Sequence, residues 1–377
     1  MSLCVCLTAD TLTYPQGGGH FWVYLNWALG LRAAGCEVIW LEIVSPEIDV
    51  SGLRSFSICL KERLEHYGFG GALVVCGETG ETFDLVHTAG CPGVDAATRA
   101  DLLLNFRYSL NSAIISRFRR SALLDIDPGL LQLWMSEGQL DVVRHDLYFT
   151  TGETIGQPGT LCPDVGIPWQ YTPPCVSLDH WRPVSPRENA AFTTISHWSG
   201  GEWVEAHGES YINDKRAGFR PFLDLPRRVS VPLELALCLA PDEDEDRDML
   251  RTRGWRVVDA YSVATAPWAY QSYIQQSLGE FSAVKPSCVH FQNAWVSDRS
   301  LCYLASGKPV VVQHTGHSRY LPDGEGLFRF RTLEEAARCL NEIMFDYSRH
   351  SHDARALAEE FFDATKVAQH LLERAIA

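Results

Sequence analysis

The sequence predicts an α/β protein built from two domains, each with a parallel β-sheet, and three observations support this prediction. Short apolar runs alternate with helical patterns along most of the chain, which is the rhythm of βαβ units. A proline-rich segment, residues 156–188, interrupts that rhythm near the middle of the chain. The length of 377 residues exceeds what a single hydrophobic core ordinarily serves.

The first half of the chain begins with an apolar run, SLCVCLTA, and then repeats the strand–helix pattern at short intervals. Connections this short favour parallel strands with helices on both faces of the sheet. The predicted strands cover residues 2–8, 37–43, 72–76 and 101–108, and the predicted helices cover residues 20–34 and 54–67.

The same pattern resumes after the proline-rich segment. Predicted strands there cover residues 191–195, 233–239, 255–258, 288–291 and 309–313, predicted helices cover residues 268–276 and 299–305, and the tail from Thr332 is helical in pattern. We therefore expect three parts: an N-terminal Rossmann-like domain over 1–175, a C-terminal Rossmann-like domain over 176–350, and a C-terminal helix over 351–377 that can pack back on the N-terminal domain.

Composition excludes several classes of partner. The formal net charge of −15 argues against a nucleic-acid backbone or an anionic membrane surface as the main partner. No apolar run approaches the roughly 20 residues of a transmembrane helix, and the N-terminus lacks the features of a secretion signal. The twelve cysteines are scattered without a Cys-x-x-Cys pair, which favours buried reduced thiols over a zinc site. We expect a cytoplasmic protein without a transmembrane segment.

The loop TLTYPQGGGH, residues 11–20, connects the first predicted strand to the first predicted helix. Its glycines fail the Gly-x-Gly-x-x-Gly spacing of a dinucleotide-binding loop, because Trp22 occupies the sixth position counted from Gly17. A glycine-rich turn at a helix N-terminus still permits close approach of a ligand. His20 is thus a candidate catalytic or substrate-binding residue, with local capping or packing as the alternative. The candidate loop residues are Tyr14, Gly17, Gly18 and Gly19.

A second candidate site lies in AWVSDRSLCYLASGKPVVVQHTG, residues 294–316. Ser297 or Asp298 is a suitable N-cap for a short helix that Gly307 ends. Free backbone amides together with Arg299 at a helix N-terminus can bind a diphosphate. The alternative is an ordinary capped helix packed on the sheet.

Two further pairs of charged residues lie near predicted strands of the second half: one pair after the first of these strands, and the other just before the strand predicted at 288–291. Lys215 and Arg216 come after a polar loop and can reach a phosphate at the switch point of the sheet, unless they are solvated surface charge. Glu280 and Lys285 offer a carboxylate for sugar or ribose hydroxyls, or else a structural ion pair. Asp125 and Asp127 form an Asp-x-Asp pair, but strand-and-turn context disfavours a metal site there.

Taken together, three stretches resemble the GT-B glycosyltransferases, which have two Rossmann-like domains facing across a cleft. GGGHFWVYLNWALGLRAAGCEVIWLE is similar to the glycine–histidine loop, helix and strand that open many of these enzymes. TPPCVSLDHWRP, at 172–183, resembles the linker between their domains. SDRSLCYLASGKPVVV, followed by TG and by LPDGEGLFRFRTLEEAARCL, resembles the donor-binding end of the family 4, or group 1, type.

The resemblance implies a hexosyltransferase-like enzyme that moves a sugar from a nucleoside-diphosphate sugar, such as a UDP-sugar, to a small-molecule or glycan acceptor, without a cofactor or metal. His20 would be the general base of an inverting reaction, since histidine ordinarily titrates near neutral pH, or would contact the transferred sugar in a retaining one. The resemblance matches Lys215 to the basic residue that contacts the donor diphosphate. The full set of candidate donor- or diphosphate-binding residues is Lys215, Arg216, Glu280, Lys285, Ser297, Asp298, Arg299, Thr315 and Gly316.

The sequence also departs from the family 4 pattern. Two glutamates that precede the glycine–proline turn in that type are replaced by Ala294 and Cys302, when the two sequences are aligned on residues 306–309. The donor contacts must then come from other residues, and the stereochemistry does not carry over. Two alternatives follow: a related nucleotide-sugar epimerase, and a non-catalytic protein that binds nucleotide sugars.

Overall fold

The computed structural model describes residues 2–45, 47–206 and 209–376. The chain forms two compact units, and each consists of separate stretches of sequence. The first unit comprises Met1–Gly156, Pro163–Ser177 and Ala364–Ala377, and the second comprises Gln157–Cys162 and Leu178–Asp363. The terminal positions 1 and 377 of the expected domain ranges lie outside the described residues.

The first unit is an α/β unit with a seven-stranded sheet in the order β3-β2-β1-β4-β5-β6-β7, and every pairing between neighbours is parallel. Its strands are β1 Cys4–Ala9, β2 Glu37–Val44, β3 Leu73–Gly77, β4 Leu102–Asn105, β5 Ser121–Asp125, β6 Leu147–Thr150 and β7 Gln170–Tyr171. Its first helices are α1 Gly18–Ala33, α2 Val50–His66, α3 Ser112–Ile115 and α4 Leu130–Ser136. A 3₁₀ turn lies at Val94–Ala96.

Strands in the middle of this sheet are buried on both faces, as parallel strands covered by helices must be. All six residues of β1 are buried, and so are all four residues of β4. On one face, cysteine and aliphatic side chains of β1, β2 and β3 pack against α3. On the other face, Phe21 of α1 stacks on Trp40 of β2 with ring centroids 5.4 Å apart. These two layers hold the carboxyl ends of β1 and β4 in place.

The second unit contains a six-stranded parallel sheet in the order β12-β11-β8-β13-β14-β15, together with a separate antiparallel hairpin, β9–β10. The strands are β8 Phe192–His197, β9 Trp203–Ala206, β10 Glu209–Ile212, β11 Leu233–Cys238, β12 Arg256–Asp259, β13 Gly279–Ser282, β14 Val310–Gln313 and β15 Leu327–Phe330. The helices are α5 Lys215–Phe219, α6 Asp244–Thr252, α7 Ala260–Ala264, α8 Pro267–Gln276, α9 Pro286–Phe291, α10 Asp298–Ala305, α11 Leu333–Phe345 and α12 Tyr347–Phe361. Short 3₁₀ turns lie at Arg220–Phe222 and Leu225–Arg227.

Aromatic side chains dominate the core of the second unit. Phe281 of β13 stacks on Phe330 of β15 with ring centroids 5.2 Å apart, and Phe222 meets Phe330 edge to face at 4.9 Å. Trp255 and Phe219 pack into the same cluster. Large aromatic rings bury much apolar area per residue, so this cluster fixes the position of β13 in the sheet.

The last helix, α13 Ala364–Ile376, belongs to the first unit and packs on α1. The two helices approach closely where Gly30 of α1 faces the backbone of Ala364, because a Cβ atom at position 30 would clash with the carbonyl group of Ala364. Glycine is therefore required at position 30 for steric reasons and not for its backbone angles.

Two of the predicted strands differ from the sequence-based expectation. Residues 288–291 form the last turns of helix α9 and not a strand, because Pro286 occupies the first helical turn, where its missing N–H group costs no hydrogen bond. The strand lies earlier, at β13. The strand expected over 101–108 ends at Asn105, because the Asn105 side chain bonds to the backbone of Arg107 and turns the chain.

Within the described residues, we find no helix with both the length and the apolar character that crossing a membrane requires. The cysteine side chains lie in buried or half-buried positions.

Candidate functional site

In the second unit the strand order reverses between β8 and β13. From β8 the chain proceeds outward to β11 and β12, and it then returns to β13 before proceeding to β14 and β15 on the other side. Open α/β sheets bind ligands at the carboxyl ends of the strands beside such a switch point. Three of the candidate residues, Lys215, Glu280 and Arg299, lie there.

Arg299 lies in the first turn of α10, where the Ser297 hydroxyl caps the helix by accepting from the Arg299 backbone N–H. Its guanidinium is committed to partners inside the unit. Nε donates to Glu280 Oε1 at 2.7 Å, Nη1 to the Ile195 carbonyl at 3.0 Å, and Nη2 to Ser282 Oγ at 2.8 Å. Arg299 thus ties the carboxyl ends of β8 and β13 together.

Glu280 is fully buried in β13 and uses only one carboxylate oxygen on Arg299. The other oxygen, Oε2, is buried without a hydrogen-bond partner among the described residues. Burying a carboxylate oxygen without a hydrogen bond costs free energy. Here that oxygen belongs to a carboxylate that is paired with the buried guanidinium of Arg299.

Lys215 supplies a second cation at the same place. It is the first residue of α5, which Asp214 caps, and its ammonium Nζ donates to the Ala283 carbonyl at 2.7 Å. Burial, and next the positive charge of Arg299, lower the pKa of Lys215 to about 7. Lys215 is therefore partly neutral at pH 7, and an anion bound beside it and Arg299 would favour its charged form.

The other predicted cations are placed differently. Lys285, the N-cap residue of α9, pairs with Glu202 at 3.0 Å and is near enough to Lys215 to lower its pKa further. Arg216 instead reaches α6, where it makes two contacts of 3.1 Å with Asp246. The structure therefore brings Lys285, but not Arg216, to the Lys215–Arg299 cluster.

Thr315 and Gly316 hold the loop that precedes α10. Ala294 N–H donates to the Thr315 carbonyl at 2.9 Å, and Thr315 Oγ1 donates to the Trp295 carbonyl at 2.7 Å. Gly316 has a φ of 129°, and a Cβ there would clash with the backbone of Gln292. Gln292 and Ala294 themselves have left-handed φ values of 47° and 59°, which is strained for non-glycine residues.

The two positions aligned with the missing glutamates supply no polar group for a ligand. Ala294 is buried in the loop, and Cys302 is buried in α10 with its thiol directed to the Asp298 carbonyl at 3.4 Å. Asp298 begins α10, next to Ser297.

In the first unit the strand order reverses between β1 and β4, and the glycine loop follows β1. The helix begins inside the glycine run, at Gly18, two residues earlier than expected. Gly18 and Gly19 are therefore helical and not part of a loop, because the Gly17 carbonyl already accepts from Phe21 N–H. Gly17, the N-cap residue, lies directly against the Tyr14 ring, and any side chain there would clash with that ring.

His20 lies in the first turn of α1 with its ring between two tyrosines, 5.8 Å from Tyr14 and 5.2 Å from Tyr24 between centroids. Its Nε2 lies 2.8 Å from the Asp10 carbonyl. Because a carbonyl only accepts, this contact assigns the proton of neutral His20 to Nε2 and leaves Nδ1 as an acceptor.

Glu42 lies at the end of β2, where dinucleotide-binding sheets carry the carboxylate that takes the ribose hydroxyls. Here the buried carboxylate accepts from the backbone N–H and the hydroxyl of Thr11 and from Trp40 Nε1. Burial raises the pKa of Glu42, and these hydrogen bonds oppose the rise. By accepting the hydrogen bonds from Thr11, Glu42 holds the loop that precedes α1.

Asp125 and Asp127 also serve the local structure. Asp125 is fully buried at the end of β5, where it accepts from Gln132 and Thr150, and burial raises its pKa to about 6. Asp127 contacts the Tyr108 hydroxyl at 3.3 Å. Throughout the described ranges, no group of three or more histidine, cysteine or acidic side chains is placed to hold a metal ion.

Sequence reasoning did not single out Ser282, Asp10 or Arg107. Ser282 completes the set of acceptors for Arg299, and Arg107 pairs with Asp10 at 2.8 Å beside the His20 contact. Each of these residues lies at the end of an apolar strand or within two residues after it. This position could have indicated them, since the carboxyl ends of parallel strands share one edge of a sheet.

No protein-family model and no curated protein matches the sequence. Solved structures do match over the whole chain. HepE of Anabaena in complex with UDP superposes with a TM-score of 0.57 at 12% identity, covering 99% of each chain. An alpha-glucosyltransferase in complex with UDP and a 13-mer DNA gives 0.58 at 13% identity over 100% of both chains.

Sucrose-phosphate synthase from Thermosynechococcus elongatus gives a TM-score of 0.54 at 11% identity, covering 99% of this chain and 98% of the other. Identities this low identify a shared fold and not a shared substrate. Two Rossmann-like units in one chain, each with its own switch point, match these structures along their full length. The chain therefore has the GT-B fold that these glycosyltransferases share.

Proposed function

We propose that the protein is a glycosyltransferase that moves a sugar from a nucleoside-diphosphate sugar to an acceptor hydroxyl. The observation that carries the proposal is the cluster of Lys215, Arg299 and buried Glu280 at the switch point of the second sheet. The similarity in fold to proteins solved with UDP and with UDP-glucose supports UDP as the first nucleotide to test.

The donor diphosphate would bind beside Lys215. The Lys215 ammonium is the direct contact in this proposal, because Arg299 already donates to Glu280, Ser282 and Ile195. Arg299 would act through its charge and by holding the strand ends. When the bond between the sugar C1 and the diphosphate oxygen breaks, these fixed charges stabilise the leaving group. We therefore expect transfer to persist in the presence of a metal chelator.

The first unit would supply the acceptor side. In an inverting reaction, His20 Nδ1 takes the proton of the acceptor hydroxyl as the new C1–O bond forms. In a retaining reaction, His20 contacts the transferred sugar and the donor phosphate takes that proton. The acceptor class in this proposal is a small molecule or a glycan, because the net charge of −15 opposes a nucleic-acid acceptor.

The first experiment is calorimetric titration with UDP, GDP and dTDP, followed by incubation with the matching UDP-, GDP- or dTDP-sugar. Specific binding of one nucleotide that weakens in Lys215→Ala is the expected result. Arg216→Ala is the matched control, since the neighbouring Arg216 pairs with Asp246 away from the cluster. No nucleotide binding, or equal binding by Lys215→Ala, would contradict the proposed donor site.

Whether the donor sugar is transferred, converted or left intact then distinguishes a transferase from an epimerase and from a non-catalytic binding protein. Transfer that depends on an added acceptor supports a transferase. Conversion of the donor sugar without any acceptor would instead indicate an epimerase, and tight binding without turnover over a broad acceptor panel would indicate a non-catalytic binding protein.

A further inference from the structure

We propose that Arg107 and Glu42 are positioning residues for His20: together they clamp Asp10 and Thr11, and the Asp10 carbonyl then fixes the His20 ring. The catalytic consequence rests on the proposed function, but the structural claim does not. All of the residues involved belong to the first unit.

Arg107, which follows β4, binds the Asp10 side chain. Its Nη1 donates to Asp10 Oδ1 at 2.8 Å and to the Ile43 carbonyl at 3.0 Å, so one guanidinium nitrogen joins the segment after β1 to the end of β2. Only 20% of the Arg107 side chain is exposed, against 55% for Asp10. Partial burial makes this pair stronger than a pair on an open surface.

Arg107 is itself held by a buried polar network. Asn105 Oδ1 accepts from Arg107 N–H at 2.9 Å and from Thr8 Oγ1 at 2.8 Å, while Asn105 Nδ2 donates to the Arg107 carbonyl at 2.9 Å. Thr8 Oγ1 in turn accepts from Phe106 N–H at 2.8 Å. These bonds fix the turn after β4, so the Arg107 side chain extends from a rigid base.

His145 is the next member of that network, because it contacts the Asn105 side chain. Its Nδ1 lies 2.7 Å from the Val143 carbonyl and its Nε2 lies 3.0 Å from Asn105 Nδ2. This pattern requires neutral His145 with the proton on Nδ1, and burial lowers its pKa in the same direction. The amide of Asn105 therefore has a single orientation, and its oxygen is directed to Arg107.

Glu42 of β2 binds Thr11, the residue after Asp10. Both of its oxygens lie 3.1 Å from Thr11 N–H, and Trp40 Nε1 donates to Oε1 at 2.9 Å. The consecutive residues Asp10 and Thr11 are thus bound from two places, by Arg107 in the turn after β4 and by Glu42 in β2. With both residues fixed, the Asp10 carbonyl is held 2.8 Å from His20 Nε2.

The chemical consequence concerns the free nitrogen of His20. While Nε2–H is donated to Asp10, Nδ1 carries a lone pair in a fixed direction, which is what a base for an acceptor hydroxyl needs. Loss of the clamp would free the ring to rotate and to exchange the Nε2 proton with water. Arg107 and Glu42 touch no substrate in this proposal and act only through the loop.

The test is the ring N–H signal of His20 in ¹H–¹⁵N spectra of the full chain, assigned by its loss in His20→Ala. We expect a protected Nε2–H signal in the unmodified protein and in Arg117→Ala, whose arginine pairs with Asp95 elsewhere in the first unit. In Arg107→Ala the exchange rate of this proton should rise at least tenfold. An equally protected proton in folded Arg107→Ala would overturn the proposal.

Two milder variants keep the test decisive if Arg107→Ala does not fold. Arg107→Lys retains the charge but cannot reach both acceptors with the same geometry, and Glu42→Gln replaces one acceptor oxygen by a donor. Each should raise the exchange rate by a smaller factor than Arg107→Ala, and no change in either variant would overturn the proposal.

Turnover supplies a separate readout once a donor and acceptor are found. Arg107→Ala should lower kcat by roughly tenfold to hundredfold with an unchanged Kd for the nucleotide, and Arg107→Lys should restore part of the loss. If no transfer is ever detected, the proposed function fails and the exchange measurement still judges the clamp. An unchanged kcat in an active enzyme would remove the catalytic role of the clamp.

Discussion

The two sheets carry a similar set of charged residues at their switch points but use it in different ways. Each has a buried glutamate and an arginine, Glu42 with Arg107 in the first unit and Glu280 with Arg299 in the second. Glu42 accepts from the neutral donors of Thr11 and Trp40, whereas Glu280 pairs with a cation and keeps one oxygen unpartnered within the described chain. In its protonated form, Lys215 adds a second positive charge beside Arg299.

This difference corresponds to the two roles that we propose, acceptor binding for the first unit and donor binding for the second. In the first unit these contacts hold a loop and a histidine, which would face an acceptor hydroxyl in the function that we propose. In the second unit we propose a diphosphate site, because a bound diphosphate would relieve the repulsion between protonated Lys215 and Arg299.

The largest expected effect would separate chemistry from donor binding. His20→Ala should lower transfer by a factor of about 10² to 10⁴, since general base catalysis contributes on that order. Nucleotide affinity, measured by calorimetry, should remain nearly the same because the donor cluster lies in the other unit. Full activity of His20→Ala would remove His20 from the reaction.

The next effect concerns the stability of the second unit. Arg299→Ala leaves Glu280 buried without its cation, and breaking such a pair typically costs about 3–5 kcal/mol. Chemical denaturation should show this loss, while Arg338→Ala, which breaks an exposed pair with Glu335 in the same unit, should cost less than about 1 kcal/mol. Equal losses in the two variants would show that the Glu280 pair is not energetically special.

A smaller effect is expected on nucleotide affinity. Lys215→Ala removes a charge-assisted contact and should weaken UDP binding by roughly tenfold to hundredfold. Lys215→Arg retains the charge and should lose less. If both variants bind UDP as tightly as the unmodified protein, Lys215 is not at the donor site.

The smallest effect is a dependence of UDP affinity on pH. Free Lys215, with its pKa lowered to about 7, is protonated below pH 7, and a bound diphosphate would raise that pKa. Binding above pH 7 must therefore take up a proton, and the Kd should increase by up to about tenfold between pH 7 and pH 8. Calorimetry in buffers of different ionisation enthalpy measures this uptake, and Lys215→Arg should abolish it.

Much of the fold followed from the sequence, because strand and helix periodicity is local. The cap at Ser297, the glycine after α10 and the alternation of strands and helices were all predictable from neighbouring residues. The error at residues 288–291 arose because four residues have too little periodicity to separate a buried strand from a helix.

The candidate sites were only partly predictable. Sequence indicated that Arg299 lies at a helix start, but its partner Glu280 is 19 residues away, and only tertiary structure brings the two together. Adjacent Lys215 and Arg216 were indistinguishable in sequence, yet their side chains have separate destinations, the Ala283 carbonyl and Asp246. Side-chain direction on a short helix is set by such distant partners.

The place of α13 in the first unit has a consequence for synthesis of the protein. That unit takes its last helix from residues made roughly 190 positions after the rest of it. At about 5–20 residues per second, some 10–40 s pass between the synthesis of Ser177 and that of α13, which covers the face of α1 around Gly30. We expect deletion of α13 to leave that face of α1 exposed.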